Sequence, residues 1–363
     1  MDKVKKVRDS NIELFRIFLM LMIIAHHYVV NSGITGYFNY EHITGNQVFL
    51  ELWGWGGKTG INCFLLVTGF FMCQKHFTWR KFLKLYLEIK FYKIIISLIF
   101  CLIGKQEFTI SYWFDSLFGM ALNVGKTFTA SFLALFLLIP FINKLIHSLD
   151  NTGHGRLVLM LVFFYTFICT FFNNNFFEYI GWYVTVYLIG AYISMYPVPN
   201  WNNARWTAMM AAIALLLSLG SVLLNTYIPQ LNIRLGIYYF VADSNKLLAI
   251  FSAVAFFLFF KNLNIGYNKP VNTIATATFG IFLIHANGDV RPWLWEEFLR
   301  VKDYFNSDYL WLHAICSCLA VYIVCCVIDI LRQKLIEKPF FNWLDRRFPS
   351  LSHEITFERN DVG

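Results

Sequence analysis

An arginine and a histidine, two side chains suited to chemistry at a membrane, are eleven residues apart in the first apolar segment of the chain. The segment begins at Asn11 and carries Glu13, Arg16, His26 and His27 among aliphatic and aromatic residues. At ~100° per residue, an α-helix places Arg16 and His27 about 20° apart around its axis and about 16 Å apart along it. Glu13 precedes Arg16 by nearly one turn, within reach of an ion pair. The spacing therefore predicts one polar face formed by Glu13, Arg16 and His27.

The chemistry expected of this face follows from its two ends. A charged side chain inside a membrane costs several kcal/mol unless it is paired or faces water, so Arg16 is a functional candidate. Arg16 would attract an anionic ligand, and His27 would accept a proton near neutral pH, as imidazole does best. The alternative is that Glu13 and Arg16 form a structural pair at the membrane interface and His27 is a packed polar residue. The sequence leaves both interpretations open.

Two further clusters place polar groups inside apolar segments. A glycine-rich stretch at 54–60 introduces Lys58 and then Asn62 and Thr68, whose side chains offer hydrogen bonds among apolar residues. Its Gly-Gly-Lys lacks the spacing of a phosphate-binding P-loop. His285 lies near the outer end of a later apolar segment, at a depth similar to His27. These positions predict a shared polar pocket, and no H-E-x-x-H spacing indicates a metal site.

The composition decides the class of protein that must position these residues. The chain has 363 residues, of which 58% are hydrophobic, 19% aromatic and 14% charged. Ten membrane helices need roughly 200 apolar residues, which this chain supplies. A soluble enzyme, a nucleic-acid-binding module, a disordered chain and a β-barrel are all disfavoured. The net charge of +8 fits cytoplasmic loops rich in Lys and Arg, and the eight cysteines, without C-x-x-C spacing, fit small buried hydrophobes.

We therefore predict an all-α fold, a polytopic bundle of about ten transmembrane helices. The predicted spans cover residues 12–31, 59–74, 91–104, 128–146, 157–173, 179–196, 206–224, 246–260, 273–288 and 309–331. With both termini in the cytoplasm, 21 Lys and Arg residues, Lys90 and Lys93 among them, fall in cytoplasmic segments. Eight fall outside and Arg16 lies within a span, which accounts for all 30. This bias favours cytoplasmic termini. Residues 1–345 would form one membrane domain and 346–363 a short cytoplasmic tail.

The polar motifs resemble those of the acyltransferase 3 family of integral membrane enzymes. The family signature of a basic residue, ten residues and a histidine matches Arg16 and His27. The segment from Lys58 through Asn62 and Thr68 is similar to the second-helix pattern, with Thr68 where serine is commoner. Further similar blocks follow in the expected order, at 131–140, 182–192 and 278–285.

The resemblance implies transfer of an acyl group, often acetyl, from cytoplasmic acyl-CoA to an extracytoplasmic hydroxyl. The acceptor would be a cell-surface polysaccharide or its lipid-linked precursor, and the setting a bacterial cytoplasmic membrane with its lipids. We expect acyl-CoA as a substrate with no bound cofactor, no nucleic-acid partner, and an association with glycan-assembly proteins. His27 would be the catalytic base or a transient acyl carrier, and Arg16 would neutralise the donor.

The remaining predicted site residues serve binding. Lys58 would orient groups on the outer side, and Asn62 and Thr68 would donate hydrogen bonds to the thioester carbonyl or the developing oxyanion. Glu13 would pair with Arg16, and His285 would line the same pocket. Two other functions stay open: a transporter or flippase of a glycan precursor or small solute, and a membrane sensing or uptake module.

Overall fold

The computed structural model describes residues 10–172, 178–228, 230 and 236–354. Helices make up 77% of the structure, and the described residues contain no strand. Fourteen α-helices are labelled here in chain order, and shorter helical turns connect several of them. They are α1 (Asn11–Val30), α2 (Gly45–Trp53), α3 (Gly57–Met72), α4 (Trp79–Leu102), α5 (Ile110–Leu122), α6 (Phe128–His147), α7 (Asn151–Val162), α8 (Tyr179–Met195), α9 (Ala204–Tyr227), α10 (Leu247–Lys261), α11 (Lys269–Ala275), α12 (Thr278–His285), α13 (Leu310–Arg332) and α14 (Lys338–Arg347).

Helix α1 lies at the centre of the bundle. In its most apolar stretch 56% of the residues are buried, against 22% in the helix beginning at α7 and 28% in α9, which therefore lie at the periphery. It packs against α3, α10 and α13, and its residues belong to both hydrophobic cores. The Asn11 side chain donates to the Lys261 carbonyl at 2.8 Å, which fixes the start of α1 beside the end of α10. The polar face of α1 is thus held inside the protein.

Helices α3 and α8 approach each other at two glycines. A side chain at Gly69 would collide with the Tyr187 backbone, and one at Gly190 would collide with the Leu66 carbonyl. Small residues at such contacts let helix backbones pack closely where lipid offers no hydrophobic driving force. The contact fixes α3, which carries Lys58 and Thr68, against the rest of the bundle.

The predicted span 273–288 is divided into two helices in the structure. Helix α11 ends at Ala275, and α12 begins at Thr278 after a short turn. The Thr276 and Thr278 hydroxyls donate to the carbonyls of Thr273 and Ala275, which satisfies backbone groups that the break exposes. A broken helix is tolerated at membrane depth where it is buried in protein. Helix α12 therefore sets the direction of His285 independently of α11.

Helix α4 begins twelve residues before the predicted span 91–104. Thr78 caps it by accepting a hydrogen bond from the Lys81 amide, and the helix then runs for 24 residues. It carries six charged residues between Arg80 and Lys93, and the sequence analysis counted the cations among them in a cytoplasmic segment. Lys90 and Lys93 belong to this helix and line a cavity with His27, and the side of the membrane that they face stays a prediction. Helices α2, α5 and α14 also have no counterpart among the predicted spans.

Five helices are long and apolar enough to cross a membrane, at Asn11–Val30, Phe128–His147, Asn151–Phe171, Ala204–Tyr227 and Leu310–Arg347. Two shorter apolar helices, Tyr179–Met195 and Leu247–Lys261, also match predicted spans. The count of ten spans and the cytoplasmic termini remain predictions. The fifth predicted span ends at residue 173, which lies outside the described residues. Six of the cations in the charge count also lie outside them: Lys3, Lys5, Lys6, Arg8, Arg234 and Arg359. Below, the "Arg16 end" and "His27 end" denote the two ends of α1.

Candidate active site between two cavities

Two cavities meet near the middle of α1. The Arg16 cavity has a volume of about 500 Å³, and the His27 cavity, towards the other end, about 530 Å³. Ile61, Phe128 and Phe282 line both, so these three side chains form a constriction between them. The rings of Phe128 and Phe282 meet edge to face with centroids 5.1 Å apart. The polar face predicted for α1 therefore connects two separate chambers.

The Arg16 cavity combines cations with an aromatic wall. Arg16 donates to a Glu13 carboxylate oxygen at 3.0 Å while about a quarter of its own side chain remains exposed. The start of α4 adds Arg80, Lys81 and Lys84 to the lining. The predicted Glu13–Arg16 pair is thus present, and Arg16 is accessible to a ligand in this cavity.

Two histidines adjoin each other beside the His27 cavity. The ring centroids of His27 and His285 are 5.1 Å apart. His285 Nδ1 lies 2.6 Å from the Ile281 carbonyl, and because a carbonyl only accepts, this nitrogen carries the proton and Nε2 carries the lone pair. Among the described residues neither His285 Nε2 nor His27 Nδ1 has a hydrogen-bond partner. A small rotation that joins them would leave His27 Nε2 as the free base.

The His27 cavity is strongly basic. Lys58 from α3, Lys90 and Lys93 from α4, Lys126 and Arg291 line it together with a single carboxylate, Asp115 of α5. Of these six residues, Lys58 is the one that the sequence analysis placed in the site. The other four cations lie far apart in the sequence, and only the folded chain brings them together.

The structure separates the predicted binding residues into three places. Thr68 lines the Arg16 cavity, and its hydroxyl donates to the Phe64 carbonyl at 2.9 Å. Asn62 is fully buried, and its amide bonds the Ser244 carbonyl at 2.6 Å and the Trp182 indole at 3.0 Å. Asn62 therefore joins α3 to neighbouring segments rather than lining either cavity, whereas Lys58 and His27 share one.

The family of the chain follows from comparison with known proteins. A family model described as an acyltransferase domain matches residues 9–330. The chain belongs to the acyltransferase 3 family. No curated protein and no solved structure gives a significant match. The match covers α1 to nearly the end of α13 and therefore includes both cavities.

In this acyltransferase, a buried ionic network that the sequence analysis missed borders the Arg16 cavity. Arg332 of α13 donates to Asp329 at 2.8 Å, to Glu337 at 2.9 Å and to Glu88 at 3.0 Å. Glu88 also lines the cavity. Lys84 pairs with Glu337 at 2.6 Å. The network fixes α4 to α13 and so positions the cations at the start of α4. Its sequence signal was the Asp329–Arg332 spacing, which matches an ion pair along a helix.

Family membership and apolar helices together identify a membrane acyltransferase. Within it, Arg16 and His27 lie on opposite sides of a constriction formed by Ile61, Phe128 and Phe282. Among the described residues no group of three or more His, Cys, Asp or Glu side chains is placed to hold a metal ion. Beside the constriction, the His27 cavity offers an imidazole together with several cationic side chains.

Proposed function

We propose that this protein transfers an acyl group, most simply acetyl, from cytoplasmic acyl-CoA to a hydroxyl of an extracytoplasmic acceptor. The acceptor in this proposal is a cell-surface polysaccharide or its lipid-linked precursor, at a bacterial cytoplasmic membrane. The observation that carries the proposal is the pair of cavities that meet at Ile61, Phe128 and Phe282, with Arg16 on one side and His27 on the other. A donor and an acceptor would meet there from opposite faces of the membrane.

The Arg16 end would receive the donor. Coenzyme A carries its negative charge on phosphates far from the thioester, joined by a long flexible arm. Arg16 and Lys81 line the cavity at this end, and a guanidinium group can bind phosphate in a bidentate manner. Arg80 also lines it, but its guanidinium already pairs with both carboxylate oxygens of Asp345 at 2.6 and 2.9 Å. The arm would then run along the aromatic wall towards the constriction, past Thr68. This assignment places the Arg16 end in the cytoplasm, in agreement with the distribution of Lys and Arg along the sequence.

His27 would act on the acceptor hydroxyl. The hydroxyl oxygen attacks the thioester carbonyl carbon as its proton passes to His27 Nε2, and the carbon–sulfur bond then breaks. The leaving sulfur takes up the proton from His27, so free coenzyme A and an acyl ester result. Lys58, in the same cavity, would stabilise the negative charge on the carbonyl oxygen. If His27 instead carries the acyl group, its Nε2 attacks the carbonyl carbon and the carbon–sulfur bond breaks. The acceptor hydroxyl then attacks the acyl-imidazole, the carbon–nitrogen bond breaks, and the hydroxyl proton completes the thiol of coenzyme A.

His285 and Asn62 would act as positioning residues. A hydrogen bond from His27 Nδ1 to His285 Nε2 would fix the tautomer of His27 with its lone pair on Nε2, since His285 is itself fixed by Ile281. Asn62 would hold α3 in place through Ser244 and Trp182. Glu13 would orient Arg16.

Acyl transfer in proteoliposomes with isotope-labelled acetyl-CoA tests the proposal. We expect label to appear in an added glycan acceptor, and we expect His27→Ala to abolish this transfer while the protein still inserts and purifies normally. His26→Ala is the matched control, because the neighbouring imidazole bonds the Gly54 carbonyl instead of lining the cavity. Label in glycan from the His27→Ala protein would refute the role of His27. Passage of unmodified glycan across the membrane without covalent label would favour a transporter.

A further inference from the structure

The charge balance of the His27 cavity is far from neutral. Five cationic side chains line it against one carboxylate, and Lys58 also lies 3.8 Å from Asp243, a half-exposed carboxylate outside the lining. Lys126 and Arg291 are exposed, and neither side chain has an ion-pair or hydrogen-bond partner in the described parts of the chain. Single-sign charge in a cleft with apolar walls concentrates ligands of the opposite sign. The cavity therefore selects for negative charge.

The deeper cations point to the same conclusion. Lys90 is only 8% exposed, and its ammonium donates to the backbone carbonyls of Ser116 and Leu117. These carbonyls are neutral, so they satisfy hydrogen bonds without cancelling the charge. The nearest Asp115 oxygen is 3.6 Å from Lys93 Nζ, a separation that gives charge attraction without a close hydrogen bond. A buried lysine is thus held in the cavity wall by neutral carbonyls, with its charge incompletely neutralised.

The phosphates of the donor do not explain these cations. They would bind at the Arg16 end, where Arg16 and Lys81 supply positive charge, on the far side of the constriction. The His27 cavity would receive the acceptor. Its cations would therefore recognise the acceptor itself, a step that rests on the function proposed above.

We infer that the acceptor is anionic: a hydroxyl compound bearing a phosphodiester or a carboxylate close to the hydroxyl that is acylated. The cavity volume of about 530 Å³ suits one or two sugar or polyol-phosphate units. Asn123 and Asn287 add amide groups to the lining for the neutral hydroxyls. The Asn123 side-chain NH2 donates to the Gly119 carbonyl, and the Asn287 side-chain oxygen accepts from the Asp289 amide. The side-chain oxygen of Asn123 and the side-chain NH2 of Asn287 are therefore left for a ligand.

Three acceptors of similar size distinguish the sources of negative charge. They are a glucuronic acid tetrasaccharide, a glycerol-phosphate oligomer and a neutral glucose tetrasaccharide. Each is offered with labelled acetyl-CoA to the full-length protein in nanodiscs of zwitterionic phosphatidylcholine, and kcat/KM is measured for the acceptor. We expect at least a tenfold preference for one anionic acceptor over the neutral one, and the preferred acceptor identifies the source. Raising the salt concentration should reduce the preference, because exposed cations are screened.

Charge-neutralising variants then test whether the cations of the His27 cavity cause the preference for an anionic acceptor. Lys126→Gln and Arg291→Gln should each raise the KM for the anionic acceptor about two- to fivefold, the range expected for exposed charge pairs. With the neutral acceptor the same substitutions should raise the KM by a smaller factor, because that acceptor carries no charge for Lys126 or Arg291 to pair with. Lys302→Gln is the matched control, because Lys302 pairs with Glu296 at 2.9 Å and does not line the cavity. Equal use of charged and neutral acceptors would overturn the inference while leaving the acyltransferase function intact.

A binding measurement keeps the two proposals separable. Without donor, the anionic oligomer should bind the protein in nanodiscs more tightly than the neutral one, and Arg291→Gln should remove part of the difference. If binding shows this preference and no acceptor becomes labelled, the acyl-transfer proposal fails and the inference about anionic ligands stands. If added phosphatidylglycerol abolishes the preference by competition, the cavity holds a lipid headgroup, and the inference about the acceptor is wrong.

Discussion

Removing the guanidinium of Arg332 should destabilise this protein more than any other single charge removal at the Arg16 end. Arg332 contacts three carboxylates at 2.8–3.0 Å, and its side chain is only 6% exposed. The substitution Arg332→Met keeps most of the side-chain volume and removes the charge. The cost is therefore electrostatic, with little contribution from a cavity.

The loss of stability in Arg332→Met depends on which partners the three carboxylates keep. Asp329 keeps hydrogen bonds from Tyr92 at 2.7 Å and Gln333 at 2.7 Å. Glu337 keeps Lys84 at 2.6 Å. Glu88 loses the one ion pair that it makes among the described residues and stays buried beside two other carboxylates. Removing one partner of a buried pair costs about 3–5 kcal/mol, and since two carboxylates keep partners we expect about 3 kcal/mol. At about 2 °C per kcal/mol for a large chain, the midpoint of thermal unfolding falls by about 6 °C.

The assay is thermal unfolding of detergent-solubilised protein, followed by fluorescence-detected size exclusion. Arg347→Met makes the same chemical change at an exposed position that has no ion pair among the described residues, and should leave the midpoint unchanged. The double variant Arg332→Met with Glu88→Met should recover more than half of the loss, because it removes the unpaired carboxylate. An Arg332→Met protein as stable as the parent, or a double variant as unstable as the single one, would refute the reasoning.

Three further predictions concern the site. Arg16→Gln should raise the KM for acetyl-CoA about tenfold, with a smaller effect on kcat, because it removes a charged hydrogen bond to the donor. An unchanged KM in initial-rate measurements would count against donor binding at Arg16. His285→Leu should lower kcat about tenfold or more and change the pH profile of kcat. His285→Gln retains a hydrogen-bond acceptor for His27 and should recover part of the rate. Equal rates in the two variants would contradict the positioning role of His285. Phe282→Ala should widen the constriction and increase acceptor-independent hydrolysis of acetyl-CoA, measured by free thiol release, and no increase would show that Phe282 does not separate the cavities.

Much of the helical framework was predictable because apolar runs of spanning length have few other stable outcomes in a membrane. The helix predicted at 12–31 is observed at Asn11–Val30, and that predicted at 128–146 at Phe128–His147. Helical spacing predicted that Arg16 and His27 share one face of α1. In the structure, each of them lines one of the two adjoining cavities. Helix periodicity is local, so a single segment contained that information.

The features that escaped prediction depend on contacts between distant segments. Lys90 and Lys93 were counted in a cytoplasmic segment, and their place in the lining of the His27 cavity was not predicted. Their positions depend on oxygen atoms from another segment, here those of Ser116 and Asp115 in α5. The role of Asn62 depended on Trp182, 120 residues away. The break between α11 and α12 has no proline within it. Hydropathy shows neither partners nor breaks, so these features required the folded chain.

The central claim is that acyl groups pass from a donor at the Arg16 end to an acceptor at the His27 end. It is tested most directly in sealed proteoliposomes of uniform orientation, with labelled acetyl-CoA confined to the compartment facing Arg16 and the glycan acceptor confined to the other. We predict covalent label on the acceptor, absent with His27→Ala, and free coenzyme A retained on the donor side. Label only when donor and acceptor share one compartment, or acceptor that crosses unmodified, would contradict the account.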